Sequence, residues 1–177
     1  QDISAICSVL PEKIQGVVFI GRGSSDNAAT IGRYAVEAFT GIPASMAAPS
    51  LSTRYAPQTS YIDYVIVAMS QSGGTPEVIA AASALKGEGS QIIAITNSED
   101  SSLARIADLH IDLQAGVEKA VPATKTVTAQ VLAVLKIASA LAKKKGLDSP
   151  ISQDELMRLP EAVKEVLNDF KSAERIV

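Results

Sequence analysis

The chain has 177 residues, 16 basic against 19 acidic, with one histidine, one cysteine and no tryptophan. That length gives one domain with a full core, and a net charge of -3 offers no broad attraction for nucleic acid. The lone Cys7 excludes an internal disulfide, a single His and Cys are too few for a His/Cys metal site, and no secretory leader or membrane-length apolar run stands out. The expectation is a cytoplasmic protein with no metal, no cofactor, and neither a nucleic acid nor a membrane as partner.

Taken in order, residues 1–15 read as a helical segment, with Ile3, Ile6 and Leu10 at helical spacing and Pro11 limiting it. Val17-Val18-Phe19-Ile20 is a short apolar strand that runs into Gly21-Arg22-Gly23-Ser24-Ser25-Asp26-Asn27 and then a helical pattern through Ile31, Tyr34, Ala35 and Ala38. A short strand at Ala44–Ala47 and a short helix between Pro49 and Tyr55 follow. Tyr64–Met69 has the length and β-branched content of a buried parallel strand. Pro76 then stands at a first helical position, and the helix runs to Leu85 before Gly87 and Gly89. Gln91–Thr96 is another buried strand, 97–107 a loop with a brief helix, and Asp108–Leu113 a sheet-edge strand on which His110 reads as a packed or surface residue. A long helix starts around Pro122 and Thr124 and ends at Lys143-Lys144-Lys145-Gly146, where cations and a glycine suit a C-terminus. A last amphipathic helix, interrupted at Pro160, extends from about Gln153 to Val177. The chain opens at Gln1 without an initiator methionine and closes without a finishing element, so flanking sequence is expected.

Two strand, polar loop and helix units in one chain fit a doubly wound parallel sheet with its ligand at a topological switch point. The loop Ser70-Gln71-Ser72-Gly73-Gly74-Thr75 concentrates hydroxyls and an amide at a helix start, where unpaired N–H groups and the macrodipole favour an anion. Helix capping is the plainer use of a Ser or Thr there, but a cap needs only one such residue. The cluster reads as a cradle for a phosphate ester. A dinucleotide site is rejected because Asp26 stands where the third glycine of the fingerprint belongs, and no Gly-Lys-Ser/Thr marks a Walker loop.

Taken together, Gly21-Arg22-Gly23-Ser24-Ser25, Ser70 through Thr75, Ala94-Ile95-Thr96-Asn97 and Glu118 through Lys125 resemble, in order and spacing, the sugar isomerase (SIS) domain. The resemblance is greatest to the first SIS domain of the isomerase half of glucosamine-6-phosphate synthase and of shorter tandem-SIS phosphosugar isomerases and deaminases. It implies a flavodoxin-like three-layer αβα sandwich over residues 16–146, with 147–177 leading to a second SIS domain, and a hexose 6-phosphate as ligand. It also implies that Ser24, Ser70, Gln71, Ser72 and Thr75 hold the phosphate, that Gly23 and Ser25 shape the pocket, and that Val121 and Ala123 face the sugar. The family usually has Ser where Ala123 stands. Gly74 replaces an acidic residue of the synthase and Arg22 a cysteine, and both point to the shorter relatives.

In tandem enzymes of this kind the principal catalytic groups lie in the second SIS domain. Within this chain only Glu118 and Lys125 occupy motif positions suited to a proton shuttle, and each has a structural alternative in orienting the loop or capping the helix. The resemblance further implies a homodimer paired through helices, with 124–141 as the candidate. Two functional readings remain: the substrate-binding SIS domain of an isomerase, deaminase or aminotransferase-type enzyme, and the phosphosugar-sensing domain of a transcriptional regulator.

Overall fold

The computed structural model describes residues 3–55, 61–120 and 122–169. Strands β1 (Gly16–Ile20), β2 (Ala44–Met46), β3 (Tyr64–Met69), β4 (Gln91–Thr96) and β5 (Leu109–Asp112) form one sheet of order β2-β1-β3-β4-β5. Every pairing is parallel. The helices are α1 (Ile3–Val9), α2 (Ser24–Thr40), α3 (Pro76–Leu85), α4 (Ser102–Ile106), α5 (Lys125–Lys144) and α6 (Gln153–Asn168), with a single wide helical turn at Leu51–Tyr55.

The continuous apolar runs that mark the strands follow from burial on both faces. Val17, Phe19, Val65, Val67, Met69, Ile93 and Ile95 pack against α1, α2 and α5, while Val18, Ile20, Ile66, Ala68, Ile92 and Ala94 pack against α3 and α4. This is the period-2 alternation of a strand, with a helical layer to meet each half of it. The architecture is the expected three-layer α/β sandwich. β5 is an edge strand, as its alternating sequence suggests, and β2 is the other.

Two expectations are corrected. α6 runs through Pro160 without a break: the proline removes one backbone donor, and this largely exposed helix accommodates the loss. Its start is set by a capping box in which Ser152 Oγ accepts from Glu155 N (3.2 Å) and Glu155 Oε2 accepts from Ser152 N (2.8 Å). α5 is, by length and composition alone, apolar enough to cross a membrane, although no such run was expected; more than half of it is buried inside the domain. Its apolar residues are buried or partly buried against the core, and the exposed large apolar side chains include Ile31 and Tyr34 of α2 and several along α6. The expected helical stretch 170–177 lies outside the described residues.

Close packing of α2 on the sheet depends on Gly32. A Cβ there would lie 2.6 Å from the Phe19 ring and 3.0 Å from Val134 Cβ. Gly32→Ala gains helix propensity but overpacks the junction of α2, β1 and α5, and is expected to cost a net ~1–2 kcal/mol in urea unfolding.

Candidate functional site

β1 and β3 are neighbours, with Ile20 opposite Ala68, so the loops leaving their C-terminal ends emerge side by side at the point where the strand order reverses. The first loop enters α2 through Gly23, whose φ of 58° lies in the glycine-favoured region, and no side chain caps the helix. The second loop begins at Ser70, whose N–H continues the sheet ladder to Ile95 O at 3.1 Å.

The plainer alternative, that these hydroxyls simply cap α3, is not what the geometry shows. Thr75 occupies the N-cap position, yet its side chain makes no capping bond; Thr75 Oγ1 and Ser70 Oγ instead meet at 2.8 Å. Ser70 Oγ also accepts from Gly73 N at 3.1 Å, and Ser72 Oγ accepts from Gly74 N at 3.2 Å. The turn needs glycine at 73. Its φ is 63°, and a Cβ would run into the Ser101 side chain and approach Thr96 Cγ2 at 3.1 Å.

A cavity of about 200 Å³ between the two loops is lined by Ser24, Ser25, Ser70, Gln71, Ser72 and Thr75, with Arg22, Met69 and Ala123 completing its wall. The structure thus brings together seven of the nine expected binding residues. Gly23 lies at the adjoining cavity towards β2, which shares Arg22, and Val121 lies outside the described residues. Positive potential comes from the uncapped N-termini of α2 and α3 and from Arg22.

Glu118 and Lys125 lie elsewhere. Glu118 lines a neighbouring open cleft with Asn97, Asp112 and Gln114, and Gln71 borders both spaces. Glu118 Oε2 accepts from Thr124 N (3.1 Å), Thr126 N (3.3 Å) and Thr126 Oγ1 (3.0 Å), while Oε1 accepts from Ala120 N (3.2 Å). It is the N-terminal cap of α5, where Thr124 supplies no side-chain cap. Desolvation is the largest single influence on its pKa and acts to raise it. The hydrogen bonds from Thr124, Thr126 and Ala120 together outweigh that and lower it from 4.5 to about 2. A carboxylate so stabilised is a weak base. Lys125 Nζ donates to Val117 O at 2.7 Å, tying the same loop to the helix. Asn97 braces that loop from the other side, donating to Gly116 O (2.7 Å) and accepting from Ala115 N (2.8 Å).

His110 has the packed role expected: its Nε2 lies 2.8 Å from Thr96 Oγ1, which itself donates to Ser98 O. One residue beside the cavity went unread in the sequence. Gln130, on the buried stripe of α5, donates from Nε2 to Ser25 Oγ at 3.0 Å. Its signal was a polar side chain at helical spacing among Ala133, Val134 and Ile137.

The family model described as the SIS domain matches residues 12–140. The chain belongs to the SIS domain family. It is 36% identical over 171 residues to a glutamine–fructose-6-phosphate aminotransferase (isomerizing) of Caldanaerobacter subterraneus, and 31% identical over 171 residues to that of Escherichia coli K12. These alignments take in 91% and 94% of this SIS chain but 28% of each relative, so it spans little more than a quarter of their length. Among solved structures it superimposes with TM-score 0.76 and 32% identity on a protein of Silicibacter pomeroyi assigned as a phosphosugar isomerase, covering 91% of this chain and 48% of that one. The C-terminal domain of glucosamine-fructose-6-phosphate aminotransferase from Francisella tularensis gives TM-score 0.74 and 26% identity, covering 92% and 45%.

The Glu118 cap gives a pH prediction. Because the folded pKa is depressed, its stabilisation is complete above about pH 4.5 and is lost as pH falls towards about 2. Glu118→Ala is expected to lower the melting temperature at neutral pH and to flatten the acid limb of the stability profile across that window, read by circular dichroism melts.

Proposed function

We propose that this SIS domain binds the phosphate of a hexose 6-phosphate in the cavity between the N-termini of α2 and α3, as the substrate-binding part of an isomerase, deaminase or aminotransferase-type enzyme. The observation that carries the reading is the convergence, at one switch-point cavity, of five hydroxyl side chains and two helix N-termini without side-chain caps. A helix cap alone leaves no reason for Thr75 to turn its hydroxyl to Ser70 rather than to its own helix. Ser24, Ser25, Ser72 and one member of the hydrogen-bonded pair Ser70 and Thr75 donate to phosphate oxygens, Gln71 stands between the phosphate and the adjoining cleft, and the sugar extends towards Ala123. Gly23 leaves open space for the ligand, since nothing lies within 4 Å of where its Cβ would be.

The relevant chemistry is proton transfer between C1 and C2 of the open-chain sugar, which needs a base with a pKa near the working pH and a group to polarise the carbonyl. Glu118 is engaged as a cap and Lys125 as a loop tie, so both are assigned to holding the substrate loop rather than to proton transfer. The base comes from a second SIS domain of the same protein. This agrees with the solved chains being about twice as long as the portion matched here. The aminotransferases among the relatives favour this enzyme reading over the regulator. A cytoplasmic location and a homodimer, to which the exposed Ile31 and Tyr34 of α2 offer apolar surface, are inferred alongside it.

Calorimetric titration with fructose 6-phosphate, glucosamine 6-phosphate and inorganic phosphate tests the reading. The expected result is tighter binding of a sugar phosphate than of phosphate, weakened about tenfold or more by Ser72→Ala, in line with loss of a hydrogen bond to a charged group, in preparations that sediment as dimers. Binding that Ser72→Ala leaves unchanged contradicts it.

A further inference from the structure

Gln130 is 1% exposed, yet only one of its two amide atoms is satisfied. Nε2 donates to Ser25 Oγ at 3.0 Å across 105 residues of sequence, and Oε1 is buried with no partner among the described residues. Apart from Thr126 and Ser139, the other buried residues of α5 are apolar, Ala133, Val134, Ile137 and Leu141 among them. Burying an amide with one atom unpaired is unfavourable, and a leucine or methionine of similar size would fill the space without that cost. Packing therefore does not account for a glutamine here.

The state of the Ser25 hydroxyl does. A hydroxyl has one proton and two acceptor sites, and in a helix it commonly turns that proton back on the carbonyl four residues earlier. Two others on α2 do so: Thr30 Oγ1 donates to Asp26 O at 3.0 Å and Thr40 Oγ1 to Val36 O at 2.6 Å. Ser25 is the second residue of α2, so the helix holds no carbonyl four residues earlier for it to return to; its oxygen accepts from Gln130, and it lines the cavity. With an acceptor site filled from behind by an amide N–H, the hydroxyl proton is left to point forward.

We propose that Gln130 is a positioning residue that fixes the Ser25 hydroxyl as a donor to an anion in the cavity, and so acts on ligand affinity through Ser25 alone. The inference rests on the phosphate-binding reading given above. It places part of the affinity in α5, a helix whose side chain reaches the cavity only through α2.

The test is a double-mutant cycle in calorimetric titrations with fructose 6-phosphate and with inorganic phosphate, on the wild type, Ser25→Ala, Gln130→Leu, the double variant and Ser72→Ala, with the melting temperature of each unliganded protein. The expected result is that Gln130→Leu weakens binding roughly three- to tenfold without lowering the unliganded melting temperature, while the double variant binds no worse than Ser25→Ala. Gln130→Glu keeps the shape but offers only an acceptor, captures the Ser25 proton, and is expected to weaken binding at least as much; it also serves if the leucine variant does not fold. Losses from the two single variants that multiply in the double variant, or a Gln130→Glu protein that binds like the wild type, overturn the inference. Wild-type binding that Ser72→Ala weakens and Gln130→Leu leaves unchanged overturns it alone. Absence of wild-type binding, or insensitivity to Ser72→Ala, overturns the phosphate site and with it this role for Gln130.

Discussion

The parallel pairing of β1 with β3 is the constraint from which the candidate site follows. Parallel strands that are neighbours in the sheet but not in sequence send their following helices to opposite faces, and their C-terminal loops then face each other across a crevice. The register sets Ile20 opposite Ala68, so Gly21–Ser25 and Ser70–Thr75 leave the sheet at the same level. Each loop ends on a helix without a side-chain cap. A change in that register would separate the two sets of hydroxyls and leave two ordinary helix starts.

The second loop is held in shape from behind. Gly73 is wedged against Ser101 and Thr96, the N-cap of α4 and the end of β4, and its N–H fixes Ser70 Oγ. The strand ends and α4 thus form a rigid floor under groups that would otherwise have rotamer freedom to lose on binding. With a net charge of -3 the protein supplies no long-range attraction for a phosphate, so the favourable potential is local: two helix ends, oriented hydroxyls and Arg22.

Much of this was legible in the sequence, for physical reasons that differ between elements. β3 and β4 are buried on both faces, and their uninterrupted apolar runs gave their bounds directly. α3 was bounded by Pro76 at its first turn and the glycines after Leu85. The two hydroxyl-rich loops were readable as a candidate site because residue type carries their chemistry. What was not legible depended on partners. A glutamate such as Glu118 looks the same in sequence whether or not it caps a helix, and only its four donors show that it does. Gln130 acquires meaning from Ser25, 105 residues away. Pro160 was weighted as a breaker where the Ser152–Glu155 capping box and an exposed helix tolerate it.

The most direct test of a phosphate at the switch point is to map the backbone amides that respond to it. In ¹⁵N-labelled protein titrated with fructose 6-phosphate, the largest shift changes are predicted at Ser24, Ser25, Ser72, Gly73 and Gly74, with smaller ones near Gln71. Changes centred instead on Asn97, Gln114 and Gly116, in the cleft beyond Gln71, or no changes at saturating ligand, would contradict the account.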